Sequence, residues 1–201
     1  MNFIESYLSE TSSIARNISH NSIKKVLNIL IELRNTKGRL FCFGNGGGAS
    51  ISSHAVNDFR KITEIETYCA ENIPEITARS NDEGFDTVLM EWLRINKLNS
   101  KDCLLIFSVG GGNEEKNIST NIVRAVKYGE RTKCKIISIV GRVEGYVQSV
   151  SDACIIVPVE NIESLTPHTE SWQSNLLHLL VSHPLLKKNQ TTWEKIELYE
   201  D

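Results

Sequence analysis

Two residues four apart, His54 and Asp58, place an imidazole and a carboxylate on one face of any helix that carries them. Such a pair can ligate a divalent metal or serve as an acid–base couple, and an ordinary surface ion pair uses the same spacing. A second histidine stands further on, where the segment from Thr166 to His178 leads into an apolar helix. His178 lies among Leu176, Leu177, Leu179 and Leu180, so burial is expected, with Glu170 and Gln173 on the preceding turns as candidate partners. A satisfied core histidine is the plainer account of the same pattern. His183, followed by Pro184, is expected to end that helix.

Anion chemistry is suggested just before His54. The run from Phe41 to Phe59 carries Gly44, Asn45, Gly46, Gly47 and Gly48, then Ser50, Ser52 and Ser53. Glycines let a backbone approach an anion closely, while serine hydroxyls and the free N–H groups of a helix start supply donors. The spacing fits neither GxGxxG nor the pattern that ends in Lys-Ser/Thr. A tight turn needs glycines too, but four in five residues before serines and a helix favour phosphate. A second glycine turn, Ser108 to Asn113, precedes another helix; Glu114 and Glu115 follow it, repel phosphate and favour a plain strand–helix connection, with Lys116 as a partial offset.

These residues need a scaffold, and five apolar runs are predicted to provide it as strands: 39–43, 65–70, 103–108, 135–140 and 153–159. They are continuously apolar, as parallel strands covered on both faces are. Helical spacing separates them, for example Ile23, Val26, Leu27, Leu30 and Ile31, then Ile118, Ile122, Val123 and Val126. The alternation predicts an α/β fold: a three-layer, doubly wound, five-stranded parallel sheet, with ligands at the carboxyl ends of the strands. Phe3, Ile4, Tyr7, Leu8, Ile14 and Ile18 predict an extra amphipathic helix, for which a neighbouring subunit is a natural cover.

With 201 residues, 40% hydrophobic and 23% charged, the chain suits one domain over 1–201: N-terminal helices over 1–37, an α/β core over 38–186 and a tail over 187–201. The net charge of -3 creates no global positive field, so a nucleic-acid partner is not expected. Glu5 and Glu10 argue against a signal peptide, and no apolar stretch approaches the ~18 residues that span a bilayer; a cytoplasmic, non-membrane protein is expected. Cys42, Cys69, Cys103, Cys134 and Cys154 are odd in number and form no CxxC pair, which predicts buried, reduced thiols.

Taken together, Gly44-Asn45-Gly46-Gly47, His54 and Asp58, Asn81-Asp82, Ser108 with its glycine turn, and Glu170 eight residues before His178 resemble the sugar isomerase (SIS) domain family, and within it the phosphoheptose isomerases. The resemblance runs to about Leu186. It implies conversion of sedoheptulose 7-phosphate into D-glycero-D-manno-heptose 7-phosphate, a step toward bacterial surface heptoses such as those of lipopolysaccharide. It also implies a homo-oligomer, a tetramer, with sites at subunit interfaces. By position, Asp58 is then the catalytic base and His178 the acid, and His54, Asp58, Glu170 and His178 surround zinc. Asn45, Gly46, Gly47, Gly48, Asn81, Asp82, Ser108 and Ser119 contact the sugar phosphate.

The chain departs from that family at Gly48 (serine in the family), Asp58 (glutamate), Glu170 (glutamine) and the second loop, where Gly110, Gly111 and Gly112 with inserted residues replace serines and Ser119 stands in for one of them. A base one methylene shorter is misplaced by about an ångström, a displacement that can cost ~100-fold in rate. The extra charge of Glu170 is expected to tighten a divalent cation, or to pair with His54 or His178 without one. The retained Asp58, Glu170 and His178 favour an enzyme. The altered serines favour the alternative, a non-catalytic SIS protein that senses sugar phosphates or assists the replication initiator.

Overall fold

Alternate residues of the apolar runs face opposite ways, and both faces are covered. The computed structural model describes residues 2–196, so the last five residues of the expected tail, and Met1, lie outside the described residues. Two helices come first, α1 (Phe3–Asn17) and α2 (His20–Asn35). There follow β1 (Leu40–Gly44), α3 (Gly47–Asp58), β2 (Thr67–Cys69), α4 (Ile73–Asp82), α5 (Val88–Ile95) and β3 (Cys103–Ser108). The series ends with α6 (Thr120–Thr132), β4 (Lys135–Val140), α7 (Tyr146–Val150), β5 (Ala153–Ile156), α8 (Leu165–Ser182) and α9 (Thr192–Ile196).

The sheet is parallel throughout, in the order β2-β1-β3-β4-β5. Leu40, Cys42, Cys103, Leu105, Phe107, Ile137 and Ile139 pack on one face with α2, α3 and α8, through Leu30, Ala55, Leu176, Leu177 and Leu180. Phe41, Phe43, Leu104, Ile106 and Ile136 pack on the other with α5, α6 and α7, through Leu93, Val126 and Val147. The expected three layers are therefore present. Each fully buried Leu, Ile or Phe contributes about 1.5–3 kcal/mol of transfer free energy, which holds the strand ends, and so the loops above them, in fixed register.

Local chemistry sets the helix boundaries. Asn2 and Glu5 form a reciprocal capping box at the start of α1, and Ser19 and Asn72 cap α2 and α4. His183 caps α8 just before Pro184, as expected. Three predictions need correction. The second strand is Thr67–Cys69 rather than 65–70 because it is an edge strand, paired to β1 over three residues only. The fifth ends at Ile156, opposite Val140: Val157 still donates its N–H to the Val140 carbonyl at 2.8 Å, but β4 stops there and offers Pro158 and Val159 no further ladder. Ile118 precedes α6, bridged to Asn113 and half exposed, instead of belonging to the helix.

Ile14 and Ile18 bury α1 against the core, whereas Phe3, Ile4 and Leu8 remain exposed. Among the described residues, no helix is long and apolar enough to cross a membrane. All five cysteines are free; Cys42, Cys103 and Cys134 are buried and Cys69 and Cys154 partly so. Burial pushes the Cys69 thiol up to about 12 and the Cys134 thiol up to about 11, so neither is an activated nucleophile.

Candidate active site

α3 begins at the end of β1 and packs beside α8, so side chains from the two helices meet above one face of the sheet. His54 and Asp58, one turn apart on α3, face His178 of α8. The His54 and His178 Nε2 atoms are 3.1 Å apart, His54 Nε2 is 3.1 Å from Asp58 Oδ2, and His178 Nε2 is 3.6 Å from the same oxygen. The imidazole rings meet edge to face. Asp58 is the last α-helical residue before a π-helical turn, Phe59–Thr63, whose Phe59 is fully buried and anchors the turn. The Asp58 side chain is 10% exposed, against 51% and 54% for the two histidines. Its other oxygen, Oδ1, accepts from the Asn57 amide at 3.0 Å.

His178 is therefore half exposed, not buried as its leucine neighbours suggested. Leu176, Leu177 and Leu180 take the core face of α8, and the 100° step per residue turns 178 and 179 outward.

The three atoms of His54, Asp58 and His178 can bind one metal ion. A tetrahedral ion with bonds of ~2.0–2.2 Å holds its ligand atoms roughly 3.3–3.6 Å apart, close to the observed 3.1, 3.1 and 3.6 Å. Two imidazoles and a carboxylate are also a donor set that suits zinc, and three protein ligands leave a fourth position open.

Glu170, expected as a fourth member, is elsewhere. Eight residues of α8 separate it from His178, about 12 Å at 1.5 Å per residue, and its carboxyl group lies against Gly47 so closely that a Cβ there would collide with it. Among the described residues it makes no hydrogen bond or ion pair with His54 or His178. Gln173, the other candidate partner of His178, is fully buried and donates to the Ile139 carbonyl at 2.9 Å.

The first glycine loop is shaped by the neighbouring strand. A Cβ on Gly48 would collide with the Phe107 carbonyl oxygen of β3, so the serine of the resembling family has no room here. Gly46 takes φ 55°, a left-handed value open to glycine, and starts α3 without a side-chain cap. Two of the serines expected to supply donors are engaged: Ser52 donates to the Gly48 carbonyl at 2.8 Å, and Ser53 to Glu71 at 2.5 Å. Ser50 is exposed.

Across the crevice, the second loop is held by Ser108, whose hydroxyl accepts the Gly111 N–H at 3.0 Å. Ser119 caps α6 in a left-handed conformation without using its side chain. Glu114, which looked hostile to phosphate, forms an ion pair with Lys127, which draws its pKa below the ordinary carboxylate value. Asn81 and Asp82 lie exposed on the last turn of α4, bonded to each other at 2.8 Å; no hydrogen bond among the described residues ties them to either glycine loop or to the histidines.

The sequence reading missed Asn121, which is 2% exposed and exchanges two side-chain hydrogen bonds with Asn45. A signal was present: Asn121 stands one turn before the buried Ala125, so it is a polar side chain on the core-facing stripe of α6.

Comparison with known proteins matches this arrangement. The SIS domain matches residues 3–141, well over half of the chain. The lincomycin biosynthesis protein LmbN of Streptomyces lincolnensis is 26% identical over 193 residues, covering 90% of this chain, which spans 66% of that relative's length. A phosphoheptose isomerase of a Nitratiruptor species is 30% identical over 157 residues, 75% of this chain and 77% of the relative. The phosphoheptose isomerase structure from Neisseria gonorrhoeae superposes with a TM-score of 0.77 at 20% identity, over 89% of this chain and 95% of that one. With its five-stranded parallel sheet, its glycine loop and its helical extension before β1, this chain belongs to the SIS domain family, as a divergent relative of the phosphoheptose isomerases.

Proposed function

We propose that the chain is an aldose–ketose isomerase of a phosphorylated seven-carbon sugar, interconverting sedoheptulose 7-phosphate and D-glycero-D-manno-heptose 7-phosphate. The observation that carries this reading is the convergence of His54, Asp58 and His178 within 3.1–3.6 Å of one another. A carboxylate and an imidazole so close can serve adjacent atoms of one substrate. Asp58 takes the proton from C1 of the ketose and returns it to C2. His178 protonates the enediolate oxygen at C2 while the C1 hydroxyl gives up its proton, so the exchange balances. His54 holds both partners in place. Where zinc is bound, His54, Asp58 and His178 would hold it and it would polarise the sugar carbonyl; the proton transfers assigned to Asp58 and His178 are those of the metal-free site, because a metal-held Nε2 has no proton to give.

The Glu170 carboxylate against Gly47 disfavours a phosphate dianion at the first glycine loop. We therefore assign the phosphate end to the second loop, at Ser108 and Ser119, and sugar hydroxyls to Asn45, Gly46, Gly47 and Gly48. Asn81 and Asp82 are assigned to the same ligand from the α4 side. The half-exposed histidines of the site and the exposed Phe3, Ile4 and Leu8 of α1 support a homotetramer that closes the site. The test is incubation with sedoheptulose 7-phosphate, with and without added zinc, followed by NMR. An aldose product supports the reading; unchanged ketose under both conditions refutes it.

A further inference from the structure

Two carboxamides pair face to face across the crevice between β1 and β3. Asn45 Nδ2 donates to Asn121 Oδ1 at 3.1 Å, and Asn121 Nδ2 donates to Asn45 Oδ1 at 2.8 Å. The two residues come from opposite walls: Asn45 directly follows β1, and Asn121 is the second residue of α6, which follows β3. In this strand order β1 leads to β2 on one side and faces β3 on the other, so the crevice is the topological switch point, where ligands of open α/β sheets bind.

Each carboxamide has two donors and two acceptor sites, of which the pair uses one donor and one acceptor. Asn121 is 2% exposed, so its amide reaches little besides Asn45. Asn45 is exposed at the mouth, and its spare N–H and lone pair remain open to a ligand. If either amide flips alone, nitrogen faces nitrogen and oxygen faces oxygen, and both bonds are lost. The buried partner thus holds the exposed one in a fixed plane.

We propose that Asn121 is a positioning residue for ligand recognition, acting through Asn45 to present one amide donor and one acceptor to a hydroxyl of a sugar phosphate. The proposal rests on the sugar-phosphate reading above and adds to it a specific reader and the residue that orients it. Without Asn121, an exposed Asn45 rotates freely and must be ordered when the ligand binds, which weakens affinity.

The test is a double-mutant cycle on the affinity for sedoheptulose 7-phosphate, measured by calorimetric titration of wild type, N121A, N45A and N45A/N121A, with thermal melts in parallel. N121A is expected to weaken binding roughly 2–12-fold, the range of one modest hydrogen bond. In the N45A background the same substitution is expected to change nothing, because its only route to the ligand is gone. N121D guards against a merely structural explanation: a carboxylate in the first turn of α6 is favoured by the helix dipole while one amide bond is lost, and the parallel melt reads whether the fold is kept. Weakened binding with an intact melt supports positioning. An unchanged N121A affinity, or equal losses in both backgrounds, overturns the proposal and leaves the isomerase reading untouched. A wild-type protein that binds no sugar phosphate overturns the isomerase reading, and this proposal with it.

Discussion

Replacing His54 with alanine tests the three-residue group where it is most specific. The three ligand atoms are separated by 3.1, 3.1 and 3.6 Å, and a tetrahedral zinc with ~2.0–2.2 Å bonds requires roughly 3.3–3.6 Å. Two separations need to open by only a few tenths of an ångström, and the third already fits. The wild-type side chains are therefore preorganised for one ion, with a fourth position left for water or substrate oxygen. H54A leaves Asp58 and His178 as a two-ligand site. Loss of even a single supporting partner of a metal ligand typically costs ~10–100-fold in affinity, so loss of a ligand itself is expected to cost at least about 100-fold. Competition with a chromogenic chelator gives both affinities, and elemental analysis of protein purified without chelator gives the occupancy. E170A, at the far end of α8, is expected to leave zinc affinity within about threefold of wild type. No binding of zinc by wild type, or equal loss in H54A and E170A, would refute the geometric argument.

Other substitutions probe separate parts of the account. D58N keeps the shape of the base but cannot accept the proton, and is expected to reduce turnover by ~10²–10⁴-fold with sugar-phosphate affinity changed less than about threefold; near-normal turnover removes Asp58 from the role of base. G48A forces a Cβ onto the Phe107 carbonyl, whereas G47A meets only the movable end of Glu170; urea titration should show G48A destabilised by about 1–3 kcal/mol or more and G47A by clearly less. Midway along α1, Glu10 accepts from the Ser164 hydroxyl at 2.6 Å and the Asn161 N–H at 3.2 Å, beside the buried His168. Burial works against its charge, but these hydrogen bonds and His168 outweigh burial and hold its pKa below the ordinary carboxylate value. E10A is expected to cost about 1–3 kcal/mol. A depressed carboxylate stabilises fully above its unfolded pKa and loses that contribution as pH falls through the folded one, so the gap between E10A and wild type should close in acid. A constant gap across that window would contradict the assignment.

The sheet was legible because its strands are buried on both faces and therefore continuously apolar, a pattern that needs no tertiary knowledge. Where strand length depends on a neighbour, as in β2 and β5, the sequence could not show it: Val157 and Val159 are as apolar as a strand requires, but beyond Val157, which bonds to the last residue of β4, there is no neighbouring strand to pair with. His54 and Asp58 were correctly placed on one helical face, since that follows from periodicity alone. The exposure of His178 did not follow, because the direction in which α8 presents its leucines to the sheet is set by packing. Glu170 was misplaced for a related reason. α3 and α8 pair with Gly47 opposite Glu170 and His54 opposite His178, so eight residues of helix become a real separation. The Asn45–Asn121 pair joins positions 76 apart in sequence, and only the closure of the crevice between β1 and β3 brings them together.

Proton exchange with solvent tests the central claim most directly, because it reports abstraction by the base even when little product accumulates. Protein incubated with sedoheptulose 7-phosphate in D2O, with and without zinc, is followed by NMR for deuterium at C1 of the recovered ketose and C2 of the aldose. An isomerase centred on Asp58 and His178 incorporates deuterium at both positions, and the D58N variant at neither. Saturable binding of the sugar phosphate by the wild type with neither incorporation nor aldose product would instead show a non-catalytic binding module.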